Sequence, residues 1–146
     1  MTTQNKIYVN RKFNCAQSTL FEWLTNPQLI AQWFGPKQLT IGKVESDVQI
    51  GGNYSIELQK PNGQNIYIEG EYLELNSPEN LTYTFVYRGM PTPPPDSTVK
   101  IILESISEKE TQLNLIQEFV VAPSNMENRT ENWNRMFTLL NEKVSA

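Results

Sequence analysis

Four tyrosines in the central part of the chain are the first residues whose chemistry is informative. Tyr54, Tyr72, Tyr83 and Tyr87 each join an apolar ring to a hydroxyl group. Such side chains suit a pocket that holds a mostly apolar ligand and orients it through a few polar contacts. For each tyrosine taken singly, packing into the core or on a half-buried sheet face is favoured. The group therefore indicates a small-molecule pocket or an aromatic core.

Carboxylates in strand-like segments offer a second kind of chemistry. Glu57, Glu69, Glu71 and Glu118 belong to this set. A carboxylate that pointed into an apolar interior would have a raised pKa and could act as an acid or a base. The alternation of apolar residues places Glu57 and Glu118 on the opposite face, so solvent is their expected neighbour.

Two arginines and the single cysteine are further candidates. Arg88 and Arg129 could contact the carboxylate of a ligand, although solvated surface cations are the default interpretation. Cys15 falls at an expected helix start, where the pKa of a thiol can be lowered. Because no partner base accompanies it in the sequence, a structural thiol is favoured.

The composition excludes several classes of enzyme. The chain has 146 residues, no histidine and one cysteine, so Ser-His-Asp and Cys-His catalytic pairs and histidine-ligated metals are impossible. We expect neither a metal nor a cofactor. A single cysteine cannot form an intramolecular disulfide, and the amino-terminal residues lack the apolar segment of a signal peptide. These features predict a cytoplasmic protein.

Charge and length limit the partners and the domain count. The 12 Lys and Arg residues against 16 Asp and Glu residues give a net charge of −4, and no basic run could neutralise phosphates, so we expect no nucleic-acid partner. No run of about eighteen apolar residues occurs, so we expect no membrane insertion. The length favours one domain covering residues 1–146.

Period-two alternation predicts most of the chain to be β-structure. Lys6 to Phe13 alternates between apolar and polar residues and predicts a first strand. From Leu39 to Val121 the same pattern recurs, with turn residues between the runs. About seven strands result, and consecutive hairpins of this kind form an antiparallel sheet with one apolar face.

Two short helices are predicted directly after the first strand. Cys15 to Leu24 carries apolar residues at helical spacing, and Asn14 with Gln17 resembles a capping box. Asn26 can cap a second helix, which has a proline at its first position and ends at Gly35-Pro36.

The carboxyl-terminal segment predicts one long amphipathic helix. Ser124 and Glu127 form a capping box before it. Its apolar stripe comprises Met126, Trp133, Met136, Phe137, Leu140 and Val144. The sheet and the helix must bury their apolar faces against each other, which gives an α+β domain. Because the sheet is much wider than the helix, either the short helices fill the gap or a cavity remains there.

Several short motifs, taken in order, resemble the START-like domains of the activator of 90-kDa heat-shock-protein ATPase homologue family. The matching features are Trp33-Phe34-Gly35-Pro36, Asp47 with Gly51-Gly52, Asn62-Gly63, Gly70-x-Tyr72, Pro78-x-x-Leu81, and a last helix with Trp133, Leu139 and Leu140. The resemblance covers nearly the whole chain. It implies a helix-grip fold: a seven-stranded antiparallel curved sheet wrapped around the carboxyl-terminal helix, with a pocket that in related families binds lipids, hormones or polyketides. Trp23 stands where relatives commonly have a smaller residue, and its ring could reduce such a pocket.

The leading functional interpretation is a module that binds a small hydrophobic or lipid-like molecule between sheet and helix. Micromolar binding needs about 8 kcal/mol, which corresponds to roughly ten buried carbons at ~0.8 kcal/mol each. The predicted lining comprises Trp33, Phe34, Tyr54, Ile56, Tyr83, Phe85, Leu103, Leu115, Trp133, Met136 and Phe137.

Two other functions stay open. The resemblance implies an interaction protein that assists a chaperone or another protein partner in the stress response, which would need an exposed apolar patch. A polyketide cyclase or aromatase would need an inward carboxylate and a tyrosine to handle protons. We expect no catalytic residue, and the chain could be a monomer or, through an exposed sheet edge, a homodimer.

Overall fold

The computed structural model of the protein describes residues 5–35, 38–124 and 126–145. The helices and strands are β1 (Lys6–Phe13), α1 (Gln17–Thr25), α2 (Pro27–Ile30), β2 (Thr40–Ser46), β3 (Asn53–Gln59), β4 (Asn65–Asn76), β5 (Asn80–Arg88), β6 (Ser97–Ser107), β7 (Glu110–Phe119) and α3 (Met126–Val144). The predicted α+β, helix-grip architecture is confirmed: a seven-stranded antiparallel sheet, two short helices after the first strand, and a long carboxyl-terminal helix.

The sheet has the strand order β1-β7-β6-β5-β4-β3-β2, so β1 and β2 are its edges. Strands β2 to β7 pair in chain order, each with the next strand. Strand β1 instead pairs antiparallel with β7, from Lys6 opposite Glu118 to Phe13 opposite Thr111. Pairing of this kind requires only short turns between strands β2 to β7.

Alternation along the strands places one face in the core, as predicted. Ile7, Val9 and Phe13 are buried. The prediction that the last strand reaches Val121 is wrong, because β7 ends at Phe119 and the Val121 side chain is 60% exposed. The partner strand β6 begins opposite Phe119, so the chain beyond that residue has no neighbouring strand of the ladder.

The helix starts agree only partly with the sequence prediction. The capping box of Asn14 and Gln17 does not form: α1 begins at Gln17 after Ala16, and Gln17 Nε2 donates to the Leu103 carbonyl oxygen at 2.8 Å. In α2 the prediction is confirmed, because Asn26 Oδ1 accepts from the Gln28 N–H at 3.0 Å.

The second helix is shorter than expected. α2 ends at Ile30, and a turn continues to Trp33, where the Trp33 and Phe34 N–H groups donate to the Ile30 carbonyl oxygen. Its predicted end at Pro36 lies outside the described residues. A helix of four residues can bury little surface, so the aromatic rings that follow it must cover the sheet.

Helix α3 lies against β1 and buries Trp133, Met136, Phe137 and Leu140. Arg11 of β1 donates through Nη1 to the Asn134 carbonyl oxygen at 2.9 Å and to Thr138 Oγ1 at 2.8 Å, which positions the helix along the edge strand. The predicted capping box before the helix spans Asn125, which lies outside the described residues. Helix α3 lies mainly against β1, and residues 27–35, here called the α2 segment, contribute Ile30, Trp33 and Phe34 to the cover of strands β3 to β5.

Candidate ligand-binding site

A continuous group of aromatic rings fills the space between sheet and helices. Neighbouring ring centroids are 5.5 Å apart for Tyr54 and Tyr83, 5.7 Å for Trp33 and Phe34, and 6.4 Å for Phe34 and Phe85. Contacts of this kind favour edge-to-face and tilted arrangements. Because aromatic rings are rigid, small gaps remain where they do not interlock.

The first gap, here called the tyrosine cavity, lies between α1, the α2 segment and strands β3 to β5. Its lining comprises Leu24, Ile30, Trp33, Phe34, Tyr54, Ile56, Tyr72, Tyr83 and Phe85. The volume of about 30 Å³ is enough for one or two water molecules. Six of the predicted lining residues therefore border this one small cavity.

Three lining residues of this cavity were not predicted as such from the sequence. Leu24 and Ile30 lie on the apolar faces of α1 and α2, so helical periodicity carried the signal. Tyr72 lies on β4 and was singled out only for its chemistry. Its place opposite Tyr83 in the ladder brings the two rings to a centroid distance of 6.2 Å.

Gly70 allows one of the tyrosines to reach across the sheet. Gly70 pairs with Tyr54 in the ladder, and a Cβ at Gly70 would collide with the Thr84 carbonyl oxygen and with the Tyr54 ring. The missing side chain lets the Tyr54 hydroxyl donate to that Thr84 carbonyl oxygen at 2.6 Å. The Gly70-x-Tyr72 motif therefore has a packing function in this site.

The tyrosine hydroxyls differ in their hydrogen bonding. Tyr72 shares a hydrogen bond of 2.8 Å with Ser46 Oγ. The hydroxyls of Tyr83 and Tyr87 make no hydrogen bond to another described residue, so they can bind a guest. Burial, with Tyr72 as a smaller cause, raises the pKa of Tyr83; burial also raises the pKa of Tyr87, while Arg129 lowers it. Both groups are neutral near pH 7 and can donate hydrogen bonds, but neither can act as a base.

The segment that covers the tyrosine cavity is held by two polar contacts. Trp33 Nε1 donates to the Trp23 carbonyl oxygen at 2.9 Å, and the Gly35 N–H donates to Met136 Sδ at 3.3 Å. A thioether sulfur is a weak acceptor, so the second contact contributes little. Trp23, which could have reduced the pocket, lies outside the lining and instead anchors Trp33 through its backbone.

A second gap, here called the Arg129 cavity, lies between α3 and strands β5 and β7. Its lining comprises Phe34, Phe85, Tyr87, Gln117, Arg129, Asn132, Trp133 and Met136, and its volume is about 20 Å³. Two predicted lining residues that are absent from the first cavity, Trp133 and Met136, are therefore found here. The Phe34 and Phe85 rings line both cavities.

A buried polar chain fixes Trp133 at the wall of the Arg129 cavity. Trp133 Nε1 donates to Gln117 Oε1 at 2.8 Å, and Gln117 Nε2 donates to Ser97 Oγ at 2.9 Å. Ser97 Oγ in turn donates to the Phe85 carbonyl oxygen at 3.0 Å. Because these buried groups are paired, the indole has one preferred orientation.

The other predicted lining residues belong to the packed core. Leu103, Leu115 and Phe137 are buried and line neither of these two cavities. The Phe137 ring packs edge-on against Phe13 at a centroid distance of 5.6 Å.

The described carboxylates lie away from both cavities. Glu69 pairs with Arg88 at 3.6 Å, and both line a shallow depression on the opposite face of the sheet. Cys15 is buried, and burial raises its pKa to about 11, which agrees with a structural thiol.

Within residues 5–35, 38–124 and 126–145, no three cysteine or carboxylate side chains could together hold a metal ion. In the same parts of the chain, no helix is long and apolar enough to cross a membrane.

Comparison with known proteins identifies the family. Residues 14–145 match the model of the family described as Activator of Hsp90 ATPase homolog 1-like protein. The chain belongs to this family. A comparison with curated proteins gave no match.

Solved structures agree with this membership in the Activator of Hsp90 ATPase homolog 1-like family. A protein from Chromobacterium violaceum has 27% identity and a TM-score of 0.86, with 97% of this chain and 98% of that chain covered. A protein from Nitrosomonas europaea has 23% identity and a TM-score of 0.78, with 96% and 94% covered. A Plasmodium falciparum protein described as an HSP90 activator has 18% identity and a TM-score of 0.72, with 96% of each chain covered. The last two likenesses show the fold.

Proposed function

We propose that this protein binds a small, mostly apolar molecule in the tyrosine cavity. The observation that carries the proposal is the wall of that cavity, which is largely apolar yet presents the Tyr83 hydroxyl without a partner among the described residues. Ligand sites typically combine an apolar concave wall with a few polar groups that orient the guest.

The cavity must enlarge before it can hold such a guest. Its volume is about 30 Å³, whereas benzene needs a cavity of about 150 Å³. The covering residues Trp33 and Phe34 follow the short helix α2 and belong to no strand ladder. Outward movement of the Phe34 ring would join the tyrosine cavity to the Arg129 cavity. Binding in this account therefore includes displacement of that ring.

Fluorescence titration with N-phenyl-1-naphthylamine, an uncharged apolar probe, tests the proposal. We expect saturable binding by the wild-type protein. The Phe34→Ala variant no longer has to move a ring, so its dissociation constant should fall about tenfold, which equals ~1.4 kcal/mol. Leu24→Phe should weaken binding, because the added ring fills the cavity.

The matched control is Val86→Ala on β5, since Val86 lines the depression on the opposite face. We expect its affinity to equal that of the wild type. The proposal would be overturned if neither the wild type nor Phe34→Ala bound the probe while circular dichroism showed both proteins to be folded. Equal affinity in the wild type, Phe34→Ala and Leu24→Phe would place the probe elsewhere.

A second candidate function is assistance to a heat-shock chaperone of the Hsp90 type, which the family membership favours. Val120 and Val121 directly follow β7 and are exposed at 73% and 60%. Exposed apolar residues of this kind can form part of a protein contact. The test is the ATPase rate of a purified Hsp90-type chaperone with and without the protein. The double change Val120→Ser with Val121→Ser should abolish any stimulation, whereas Val48→Ser in the β2–β3 loop should preserve it.

A cyclase or aromatase activity gains no support from this geometry. No carboxylate of the described residues lines either cavity. The cavity tyrosines are neutral near pH 7, because burial raises their pKa. Proton abstraction from a bound substrate would therefore lack a base among the described lining residues.

A further inference from the structure

A cation interrupts the apolar stripe of α3 at the wall of the Arg129 cavity. Arg129, Asn132, Trp133 and Met136 follow the i, i+3, i+4, i+7 spacing that places side chains on one helix face. All four line the same cavity, together with Tyr87 of β5. The face that buries Trp133 and Met136 therefore presents a guanidinium group near its amino-terminal end.

The Arg129 side chain has a buried Nε–H group without an acceptor among the described residues. The ion pairs between described residues join Lys43 to Glu45 and Arg88 to Glu69, so neither involves Arg129. The guanidinium carbon lies 5.8 Å from the centre of the Phe119 ring, a contact that orients the group without satisfying its donors. A buried charged donor without an acceptor is costly, so an acceptor is expected to reach it.

Two other groups at the cavity can donate to the same acceptor. Asn132 Oδ1 accepts from Arg135 Nη1 at 3.1 Å, and the Asn132 NH₂ group makes no hydrogen bond to another described residue. The Tyr87 hydroxyl is likewise without a partner there. Because the described lining contains donors and no negative charge, it is complementary to an anion.

The anion site and the apolar site are adjacent. The Phe34 and Phe85 rings, 6.4 Å apart, line both the Arg129 cavity and the tyrosine cavity. A guest that displaces Phe34 could therefore extend from Tyr83 to Arg129. Such a guest would have an apolar body and one anionic end.

We propose that the guest is an apolar carboxylic acid, whose carboxylate binds Arg129 and Asn132 and whose apolar body occupies the tyrosine cavity. The inference rests on the proposed function, since it names the class of molecule bound at the same site. A carboxylate matches the two parallel N–H donors of a guanidinium group. A phosphate monoester carries about two negative charges near pH 7, which a single cation would leave only partly neutralised.

Displacement of bound N-phenyl-1-naphthylamine by decanoate and by 1-decanol at pH 8 tests the inference. The two compounds have chains of equal length and differ in charge. We expect decanoate to displace the probe at a concentration about tenfold lower than 1-decanol requires, because only the carboxylate forms charge-assisted hydrogen bonds with Arg129. Arg129→Gln should remove this preference and Arg129→Lys should keep part of it. The control Arg88→Gln, on the opposite face, should keep all of it.

Each outcome separates this inference from the proposed function. Equal displacement by acid and alcohol, or an acid preference that survives Arg129→Gln, would overturn the carboxylate assignment while leaving apolar binding intact. If an ordered water, and not a carboxylate, is the acceptor at Arg129, decanoate and 1-decanol would displace the probe equally. Binding of decanoate is also measured directly by calorimetry. Absence of both probe binding and decanoate binding would overturn the inference and the proposed function together.

Discussion

The two halves of the concave face differ in how completely helices fill them. On the β1 side, the 19-residue helix α3 buries Leu140 against a core in which Phe13 and Leu113 are inaccessible to solvent. On the β3–β5 side, the four-residue helix α2 buries only Ile30, and aromatic rings supply the remaining cover. In the first half, the buried Phe137 and Leu140 side chains of the long helix pack into the core and line neither cavity. Rigid rings on a turn leave space in the second, and that space is the candidate site.

The largest expected effect lies in the closed half. Leu140→Ala should lower the free energy of unfolding by about 2–5 kcal/mol, because the surrounding core cannot collapse fully around the missing atoms. Urea denaturation monitored by circular dichroism measures this. A loss below about 1 kcal/mol would show that the α3 side is loosely packed, and the comparison would fail.

A matched pair of enlargements sharpens the comparison. Leu140→Phe inserts a ring into the closed half and should cost about 1–3 kcal/mol of unfolding free energy. Leu24→Phe places the same ring beside the tyrosine cavity, whose volume of about 30 Å³ can accept part of it. The second change should therefore cost clearly less in the same urea experiment. Equal losses at both positions would mean that the two halves are packed alike.

The smallest expected effect concerns the pH dependence of the unfolding free energy and Tyr83, which lines the tyrosine cavity in the β3–β5 half. Burial raises the folded-state pKa of Tyr83 above its ordinary value of 10.0. The folded chain then keeps a proton that the unfolded chain loses, so the stabilisation is complete below about pH 10 and decreases as pH rises further. Tyr83→Phe should reduce the fall of the unfolding free energy above pH 10 by about 1.4 kcal/mol per pH unit.

Urea denaturation at pH 9 and pH 11 gives the slope for each variant. Tyr8→Phe is the control, because this tyrosine is 58% exposed. An unchanged slope in Tyr83→Phe would show that water reaches its hydroxyl in the folded chain, so the cavity would be open.

The sheet could be predicted from sequence because alternation follows directly from burying one face. The failures occurred where a tertiary contact decided the outcome. Gln17 was expected to cap a helix, but its amide binds the Leu103 carbonyl oxygen from another part of the chain. Val121 continued the alternation, yet β6 offers no residue to pair with it. Neither contact could be derived from local spacing.

The site could be predicted in composition but not in size. Six lining residues of the tyrosine cavity were identified, because strand alternation and the aromatic turn pointed inward together. The volume depends on how the Phe34 ring packs against Phe85, and one sequence gives no such distance. Arg88 and Arg129 were treated alike, although Arg129 precedes Trp133 by four residues on the helix stripe. That spacing was the signal that separates an inward cation from an outward one.

The central claim is that an apolar guest enters between the α2 segment and strands β3 to β5. Isotope-filtered nuclear Overhauser spectroscopy on ¹³C-labelled protein with unlabelled decanoate tests it most directly. We expect contacts from the terminal methyl group to the Tyr83 and Phe85 rings, and from the carboxyl end to the Met136 methyl group. Contacts confined to Val120 and Val121 on the surface would contradict it.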